Sequence, residues 1–243
     1  MNRQLLEFLG NRPKPLVIAE LCTNAHPYDD ATLEKFIALA DLAGCAGVKL
    51  QYWRADHFPL GERDRKRPYE LPDGVLSRFV YLAHEFDLLA GASVFEAGDV
   101  DKLCAAGVDF IKLAAREVDN RVLLDTAVGT RRPVLRSLPY FGAALPGTAF
   151  DPRVLSFYCT PHYPAEASLM DMVALRHATT PWGWSSHTGD GMDCVVAAAL
   201  GAAVVEAHLK TSDVEPEALW SLSERDMGFV VKLCETAAGR RRS

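Results

Sequence analysis

The chain has 243 residues and a formal net charge of −6, and this acidic balance argues against binding to nucleic acid or to an anionic membrane. Hydrophobic residues make up 49% and charged residues 24%, a composition typical of soluble globular proteins. No apolar run approaches the roughly 20 residues of a membrane span. Residues 1–15 lack a small-residue cleavage site, so we expect no signal peptide and a cytoplasmic protein.

Short apolar runs alternate with amphipathic segments along the chain. The runs predict eight strands, at residues 16–21, 47–52, 88–95, 110–114, 133–137, 154–159, 182–186 and 203–208. Helical spacing of apolar residues predicts helices at 30–44, 73–86, 98–106, 120–128, 167–177, 190–200 and 223–238. This alternation predicts an α/β fold, a (β/α)8 TIM barrel that forms a single domain over residues 1–243. A doubly wound sheet is the alternative, but no G-x-G-x-x-G follows the first strand.

Two connections depart from the regular pattern. Several prolines and glycines interrupt the stretch between Ser137 and Val154, so we expect a loop in place of the fifth helix. The stretch 56–72 is rich in charge. It is either a solvated surface loop or a flap over the mouth of the barrel, because long loops in compact domains are often functional.

Polar residues at the ends of the predicted strands are the candidates for chemistry, because barrel enzymes react at that face. They are Glu20, Lys49, Gln51, Ser93, Lys112, Ser137, Tyr163, His187 and His208. Lys49 and Lys112 stand inside apolar runs, and lysine is almost never fully buried without a partner. Either lysine alone could extend its ammonium to the rim. Two on nearby strands favour a site for a phosphate or carboxylate.

The histidines at the ends of the last two predicted strands form a second candidate site. His187 and His208 should lie side by side at the top of the barrel. Neutral imidazoles suit a divalent transition metal and leave positions for water and substrate oxygens. A lone histidine here would more often be an acid–base group or a hydrogen-bonded polar residue, so it is the pair that favours a metal.

An ordered set of short strings carries a resemblance to a known family. The strings are Val17-Ile18-Ala19-Glu20 with Asn24, Val48-Lys49-Leu50-Gln51, Ile111-Lys112-Leu113, Cys159 with Tyr163-Pro164, Trp182 to Thr188, Glu206-Ala207-His208 and Glu215-Pro216-Glu217. In this order and spacing the chain resembles the N-acetylneuraminate (sialic acid) synthase family, phosphoenolpyruvate-dependent enzymes with a (β/α)8 barrel. The similarity covers nearly the whole chain.

The resemblance implies an activity and a role for each matching residue. The enzyme would be a transferase that condenses phosphoenolpyruvate with a sugar-derived or nucleoside-derived aldehyde, giving phosphate and a 2-keto acid extended by three carbons. A divalent cation, Mn²⁺ or Mg²⁺, would be bound by His187 and His208. The implied catalytic residues are Glu20, Lys49, Lys112, His187 and His208, and the implied substrate-binding residues are Gln51, Ser93, Ser137, Tyr163, Glu217 and Asn24. A homodimer is a further expectation.

Several positions differ from the family pattern. Ser186 replaces an aspartate, Ala207 a lysine, Ala115 a serine, Pro161 an asparagine, and Glu217 an aspartate. The family usually continues into a C-terminal antifreeze-like domain, and we expect this chain to be a barrel-only member. We therefore expect an acceptor other than N-acetylmannosamine. Two alternatives stay open: an inactive barrel that serves as a binding or assembly partner, and another metal-dependent aldolase or lyase on the same scaffold.

Overall fold

Eight parallel strands form a closed barrel in the computed structural model, which describes residues 7–10, 14–140, 151, 153–166 and 171–239. The strands are β1 Leu16–Glu20, β2 Gly47–Tyr52, β3 Leu89–Val94, β4 Phe110–Leu113, β5 Val134–Pro139, β6 Leu155–Cys159, β7 Trp182–Ser185 and β8 Val204–Leu209. Each strand pairs with the next, and β1 also pairs with β8. The predicted TIM barrel is therefore confirmed. A two-residue strand, β9 Ser221–Leu222, extends the pairing from β8.

The connections between the strands carry the helices. They are α1 Asp30–Leu42, α2 Leu60–Lys66, α3 Val75–Glu85, α4 Val100–Ala106, α5 Arg121–Gly129, α6 Met192–Leu200 and α7 Glu224–Gly239. None of the helices in the described part of the chain is long and apolar enough to cross a membrane. The six cysteines are all free thiols.

Two of the predicted connections lie partly outside the described residues. The helix predicted at 167–177 lies partly outside the described residues, and its described part is a 3-10 helix, Val173–His177, in which only Leu175 is buried. One buried residue gives no continuous apolar face for an α-helix to pack. The loop predicted in place of the fifth helix falls mostly on residues 141–150 and 152, which also lie outside the described residues.

The stretch 56–72 is more regular than the sequence predicts. It contains α2, between two 3-10 helices at Ala55–His57 and Arg67–Tyr69. No residue of α2 is buried, so this helix lacks the apolar periodicity by which helices are recognised in a sequence. The charged stretch is thus an ordered segment.

The inward-facing positions change from apolar to polar along the strands. Side chains alternate between the two faces of a strand, and residues such as Ile18, Phe110, Phe157 and Val204 form an apolar layer across the lower barrel. Two positions further along the same strands come Glu20, Lys112, Cys159 and Glu206. The intervening residues pack in a separate cluster with the surrounding helices. The apolar layer therefore lies directly beneath a polar cavity.

Strand register brings the polar residues beside one another. Glu20 is opposite Lys49 on one side and His208 on the other. Ser93 is opposite both Gln51 and Lys112. A slip of one residue in any of these pairs would turn the polar side chains towards the helices.

Gly183 is required by the packing of the apolar layer. A Cβ at this position would lie 2.1 Å from the Phe157 ring. Gly183 and Phe157 are both buried, so the ring has no free space into which it could move. We expect Gly183→Ala to lower the free energy of unfolding by roughly 1–3 kcal/mol because the core would be overpacked. Urea unfolding followed by circular dichroism measures this change.

The matched control is Gly61→Ala, since a Cβ at Gly61 meets no atom within 4 Å and the residue lies in exposed α2. Alanine is favoured over glycine in a helix by up to about 1 kcal/mol, so this variant should be unchanged or more stable. Equal effects of the two substitutions would contradict the packing argument.

Candidate active site

A cavity of about 820 Å³ opens at the C-terminal ends of the strands. It is lined by every residue assigned to the site from the sequence except Asn24, namely Glu20, Lys49, Gln51, Ser93, Lys112, Ser137, Tyr163, His187, His208 and Glu217. These residues come from the ends of all eight barrel strands or from the loops that follow them. Their convergence follows from the closure and register of the barrel.

The floor of the cavity holds two buried lysines, each with a carboxylate partner. The Lys49 ammonium forms an ion pair with Glu20 and donates to Ser93 Oγ at 2.8 Å. The Lys112 ammonium contacts both carboxylate oxygens of Glu206, at 3.1 and 3.0 Å. Glu206 also lies 3.8 Å from Lys49, so one carboxylate serves both lysines. Buried charges are stable only when paired in this manner.

Glu206 is the main site residue that the sequence reasoning left without a role. Its signal was present, since Glu206 and His208 are two positions apart on β8 and therefore face the same side. Ser185 Oγ donates to Glu206 at 2.9 Å. Burial favours the neutral acid, but Lys112 and Lys49 outweigh it and hold the pKa of Glu206 below its usual value. The carboxylate is consequently ionised.

Burial also changes the acidity of Lys49. It lowers the pKa of the ammonium to about 8, although the carboxylate of Glu206 acts in the opposite direction. Lys112 adds to the lowering through charge repulsion. Lys49 is accordingly a cation near neutral pH and titrates at mildly alkaline pH.

The two histidines lie side by side, with ring centroids 5.6 Å apart. His187 Nδ1 donates to the carbonyl oxygen of Thr160 at 2.9 Å, and His208 Nδ1 lies 2.8 Å from Glu217 Oε2. Neither Nε2 atom has a hydrogen-bond partner among the described residues. Such partners on Nδ1 fix the tautomer and direct Nε2 towards a ligand.

The chemistry of this pair fits a divalent metal with an incomplete protein ligand set. Burial, with a further contribution from His208, lowers the pKa of His187 to about 3, so its imidazole is neutral and able to bind a metal. Within the described residues no group of three or more His, Cys, Asp and Glu side chains is arranged to hold a metal. Any cation here would need oxygen ligands from substrate or water to complete its coordination.

Asn24 supports the site from behind the cavity wall. Its Oδ1 accepts the backbone N–H of Glu217 at 2.9 Å, and its Nδ2 donates to Leu209 and Ser221. The amide is therefore committed to internal contacts, and it positions Glu217. Burial opposes ionisation of Glu217, but His208 outweighs burial and lowers the pKa of that carboxyl.

A buried carboxylate on α6 holds the segment around His187, and sequence reasoning did not identify it. Asp193 accepts hydrogen bonds from Ser186 Oγ at 2.7 Å, Thr188 Oγ1 at 2.9 Å and Trp184 Nε1 at 2.7 Å. These donors lie on both sides of His187 in the chain. Asp193 thus constrains the backbone that carries the histidine.

The segment 56–72 forms part of the cavity wall. Its lining residues are Phe58, Arg65, Lys66 and Tyr69. On the opposite wall, the Tyr163 ring packs on His187 with centroids 4.1 Å apart, and Trp220 lies beyond it. Of the two interpretations of this charged stretch, its position at the mouth supports a functional segment.

The comparisons with known proteins agree with this geometry. At the sequence level the chain is 23% identical to N,N′-diacetyllegionaminic acid synthase of Legionella pneumophila, over 92% of this chain and 72% of that protein. It is 24% identical to pseudaminic acid synthase of Helicobacter pylori, over 86% and 70%. The prediction of a synthase-type enzyme is thereby confirmed.

A solved structure and a family model complete the comparison. The crystal structure of N-acetylneuraminic acid (sialic acid) synthetase from Leptospira borgpetersenii, in complex with citrate, superposes with a TM-score of 0.84 at 18% identity. The alignment covers 96% of this chain and 89% of that one, which confirms the fold. The model of the NeuB family matches residues 36–240, and the chain therefore belongs to the NeuB family.

Proposed function

We propose that this chain condenses phosphoenolpyruvate with a sugar-derived aldehyde, giving a 2-keto acid extended by three carbons and inorganic phosphate. The observation that carries the proposal is the pairing of a two-lysine floor with two adjacent histidines in one cavity. The names of the relatives, synthases of legionaminic and pseudaminic acid, support the same reaction class.

The lysine floor suits the donor. Phosphoenolpyruvate carries a phosphate and a carboxylate on the same carbon, and both need cationic or hydroxyl donors. Lys49 and Lys112 supply the cations, and Ser93 and Ser137 line the cavity beside them. Because Glu206 bridges both lysines, their ammonium groups are already oriented before the donor enters. Such preorganisation lowers the cost of binding.

The histidine wall suits the acceptor. We propose that Nε2 of His187 and of His208 hold Mn²⁺ or Mg²⁺, which when bound would polarise the aldehyde oxygen as a Lewis acid. Thr160 and Glu217 keep the Nδ1 protons in place. Gln51 and Tyr163 line the same cavity, and this position supports assigning them to the acceptor.

The proposed reaction forms one carbon–carbon bond, consumes one water and releases one phosphate. The C=C π electrons of phosphoenolpyruvate form a bond to the aldehyde carbon, and the aldehyde oxygen becomes a hydroxyl by taking a proton that is supplied overall by the water consumed in the next step. Water adds to the carbon that bears the phosphate, the carbon–oxygen bond to phosphate breaks, and the ketone forms. Hydrogen-bond donors that are buried and already oriented, as on Lys49 and Lys112, are the most effective at stabilising the anionic groups of phosphoenolpyruvate.

The direct test combines protein, Mn²⁺ and phosphoenolpyruvate with a panel of aldoses, N-acetylated amino sugars and nucleoside aldehydes. We expect phosphate release that requires the aldehyde, together with a 2-keto acid product detected by mass spectrometry. A barrel that has lost catalysis would release no phosphate with any aldehyde and would not bind phosphoenolpyruvate in calorimetry, and that result would refute the proposal.

Glu217 provides a test of the proposed metal site. Glu217→Gln keeps the size of the side chain but removes the charge that accepts from His208 Nδ1. We expect about a 10- to 100-fold loss of Mn²⁺ affinity, as is typical when a partner of a metal-binding histidine is changed. Electron paramagnetic resonance measures free Mn²⁺ during the titration.

The matched control is Glu215→Gln, because Glu215 lies outside the cavity lining and bonds to Thr211. Its Mn²⁺ affinity should equal that of the unchanged protein. If the unchanged protein binds no Mn²⁺ and no Mg²⁺, the metal assignment is wrong even if condensation occurs.

Lys49 predicts a pH dependence of donor binding. The pKa of its ammonium is lowered to about 8 by burial, so the positive charge is present below that pH and is lost above it. We expect the Kd for phosphoenolpyruvate to rise above pH 8, approaching about tenfold per pH unit. Calorimetry from pH 6.5 to pH 10 follows the change.

The Lys49→Arg variant separates Lys49 from other titrating groups, because a guanidinium stays protonated throughout this range. Its Kd should not show the rise that begins near pH 8. The same alkaline rise in this variant, with unchanged thermal stability, would assign the effect to another residue.

A further inference from the structure

The rim of the cavity carries basic side chains that no carboxylate of the cavity neutralises. Lys66, on α2, is half-buried and makes no salt bridge or hydrogen bond with any described residue. Its ammonium lies 5.4 Å from the centroid of Trp53 and 5.2 Å from that of Phe58. The Arg116 guanidinium lies 4.5 Å from the centroid of the same Phe58 ring. Both basic side chains line the cavity.

The carboxylates beside the two buried lysines do not neutralise the basic side chains of the rim. There, Lys49 and Lys112 are matched by Glu20 and Glu206, so the floor is balanced before any ligand binds. Arg116 has an ion-pair partner, Glu117, but Glu117 is not part of the cavity lining. Five lysine and arginine side chains line the cavity against three glutamates, and Lys66 is the only one of these five without an ion-pair partner among the described residues, so the rim adds positive charge to the cavity.

This local excess is opposite in sign to the chain as a whole, which has a net charge of −6. A half-buried ammonium on aromatic faces loses part of its hydration, and cation–π contacts recover only part of that loss. Such a cation is expected where an anionic ligand supplies the missing partner.

The location of the rim assigns the anion to the acceptor. The two anionic groups of phosphoenolpyruvate sit on one carbon and are served by the lysine floor in the proposed function. Lys66 follows β2, whose residue Gln51 lines the cavity and is assigned to the acceptor in the proposed function. A neutral aldose would need hydrogen-bond donors and acceptors at this position, and it would not need the unpaired ammonium of Lys66.

We propose that Lys66 and Arg116 form an anion subsite for a phosphate or carboxylate carried by the acceptor, so that the substrate is an anionic aldehyde. The inference rests on the proposed function, because it extends the same cavity to its second substrate. Guanidinium and ammonium groups both bind oxyanions through charge-assisted hydrogen bonds. Both cations contact the Phe58 ring, and both line the same cavity.

Binding, not turnover, is the sharpest test. Calorimetry on metal-free protein saturated with phosphoenolpyruvate compares matched pairs: ribose 5-phosphate with ribose, N-acetylmannosamine 6-phosphate with N-acetylmannosamine, and glucuronate with glucose. We expect at least one anionic member to bind about tenfold tighter than its neutral partner, as charge-assisted hydrogen bonds allow. The phosphate and carboxylate pairs distinguish the two kinds of anion.

Three variants complete the experiment. Lys66→Ala and Arg116→Ala should each reduce the preference for the anionic member to about threefold or less, and the affinity for phosphoenolpyruvate should change little. Lys102→Ala is the control, because Lys102 also lies over an aromatic ring, 5.7 Å from the centroid of Tyr52, but is outside the cavity lining. It should keep the full preference.

Each outcome is decisive for one of the two proposals. No preference for any anionic member, or a preference that survives both rim substitutions, would overturn the subsite. Loss of phosphoenolpyruvate affinity in Lys66→Ala would assign the rim to the donor and would also overturn it. Condensation with neutral aldehydes alone would leave the proposed function intact while removing this inference. A preference for anionic sugars that depends on Lys66 and Arg116, without any condensation, would support the anion subsite and refute the proposed function.

Discussion

The pairing of Lys112 with Glu206 is the interaction on which the cavity depends. Lys112 comes from β4 and Glu206 from β8, strands on opposite sides of an eight-stranded barrel, so the ion pair crosses the interior. Glu206 also approaches Lys49, which is paired with Glu20. The chain of contacts therefore requires the closed barrel, since Glu20 is on the strand that pairs with both β2 and β8. Removing one partner would leave a buried charge unpaired, typically a cost of about 3–5 kcal/mol.

This charged layer divides the barrel into two environments. Below it, Ile18, Phe110 and Phe157 exclude water, and the Lys112 ammonium lies 4.1 Å from the Phe157 ring centroid. Above it, the cavity opens to the histidine pair and the basic rim. The low-dielectric apolar layer strengthens the electrostatic interactions directly above it. The same burial keeps His187 neutral and Lys49 readily titratable, so packing sets the protonation states on which the proposed chemistry depends.

The sequence predicted the strands closely because parallel strands buried on both faces read as continuous apolar runs, and polar residues at their ends were therefore conspicuous. What it could not supply were contacts between distant segments. The amide of Asn24 is used by Glu217, Leu209 and Ser221, which its position after β1 does not reveal. The place of Glu206 in the site could be inferred from its two-residue spacing to His208, but its pairing with Lys112 could not be inferred from the sequence. Helix α2 was missed because none of its residues is buried.

Three of the departures from the family pattern have structural surroundings that argue against decay of the site. Ser186 donates to Asp193, so a carboxylate still holds the segment before His187. Ala207 lies in the cluster between the strands and the helices, on the opposite face from His208, so its small size removes no cation from the cavity. Ala115 lacks a hydroxyl, but the next residue, Arg116, brings a guanidinium to the same wall. The two buried lysines and the histidine pair are thus kept while the wall around them differs, and this combination favours the proposed chemistry with a different acceptor.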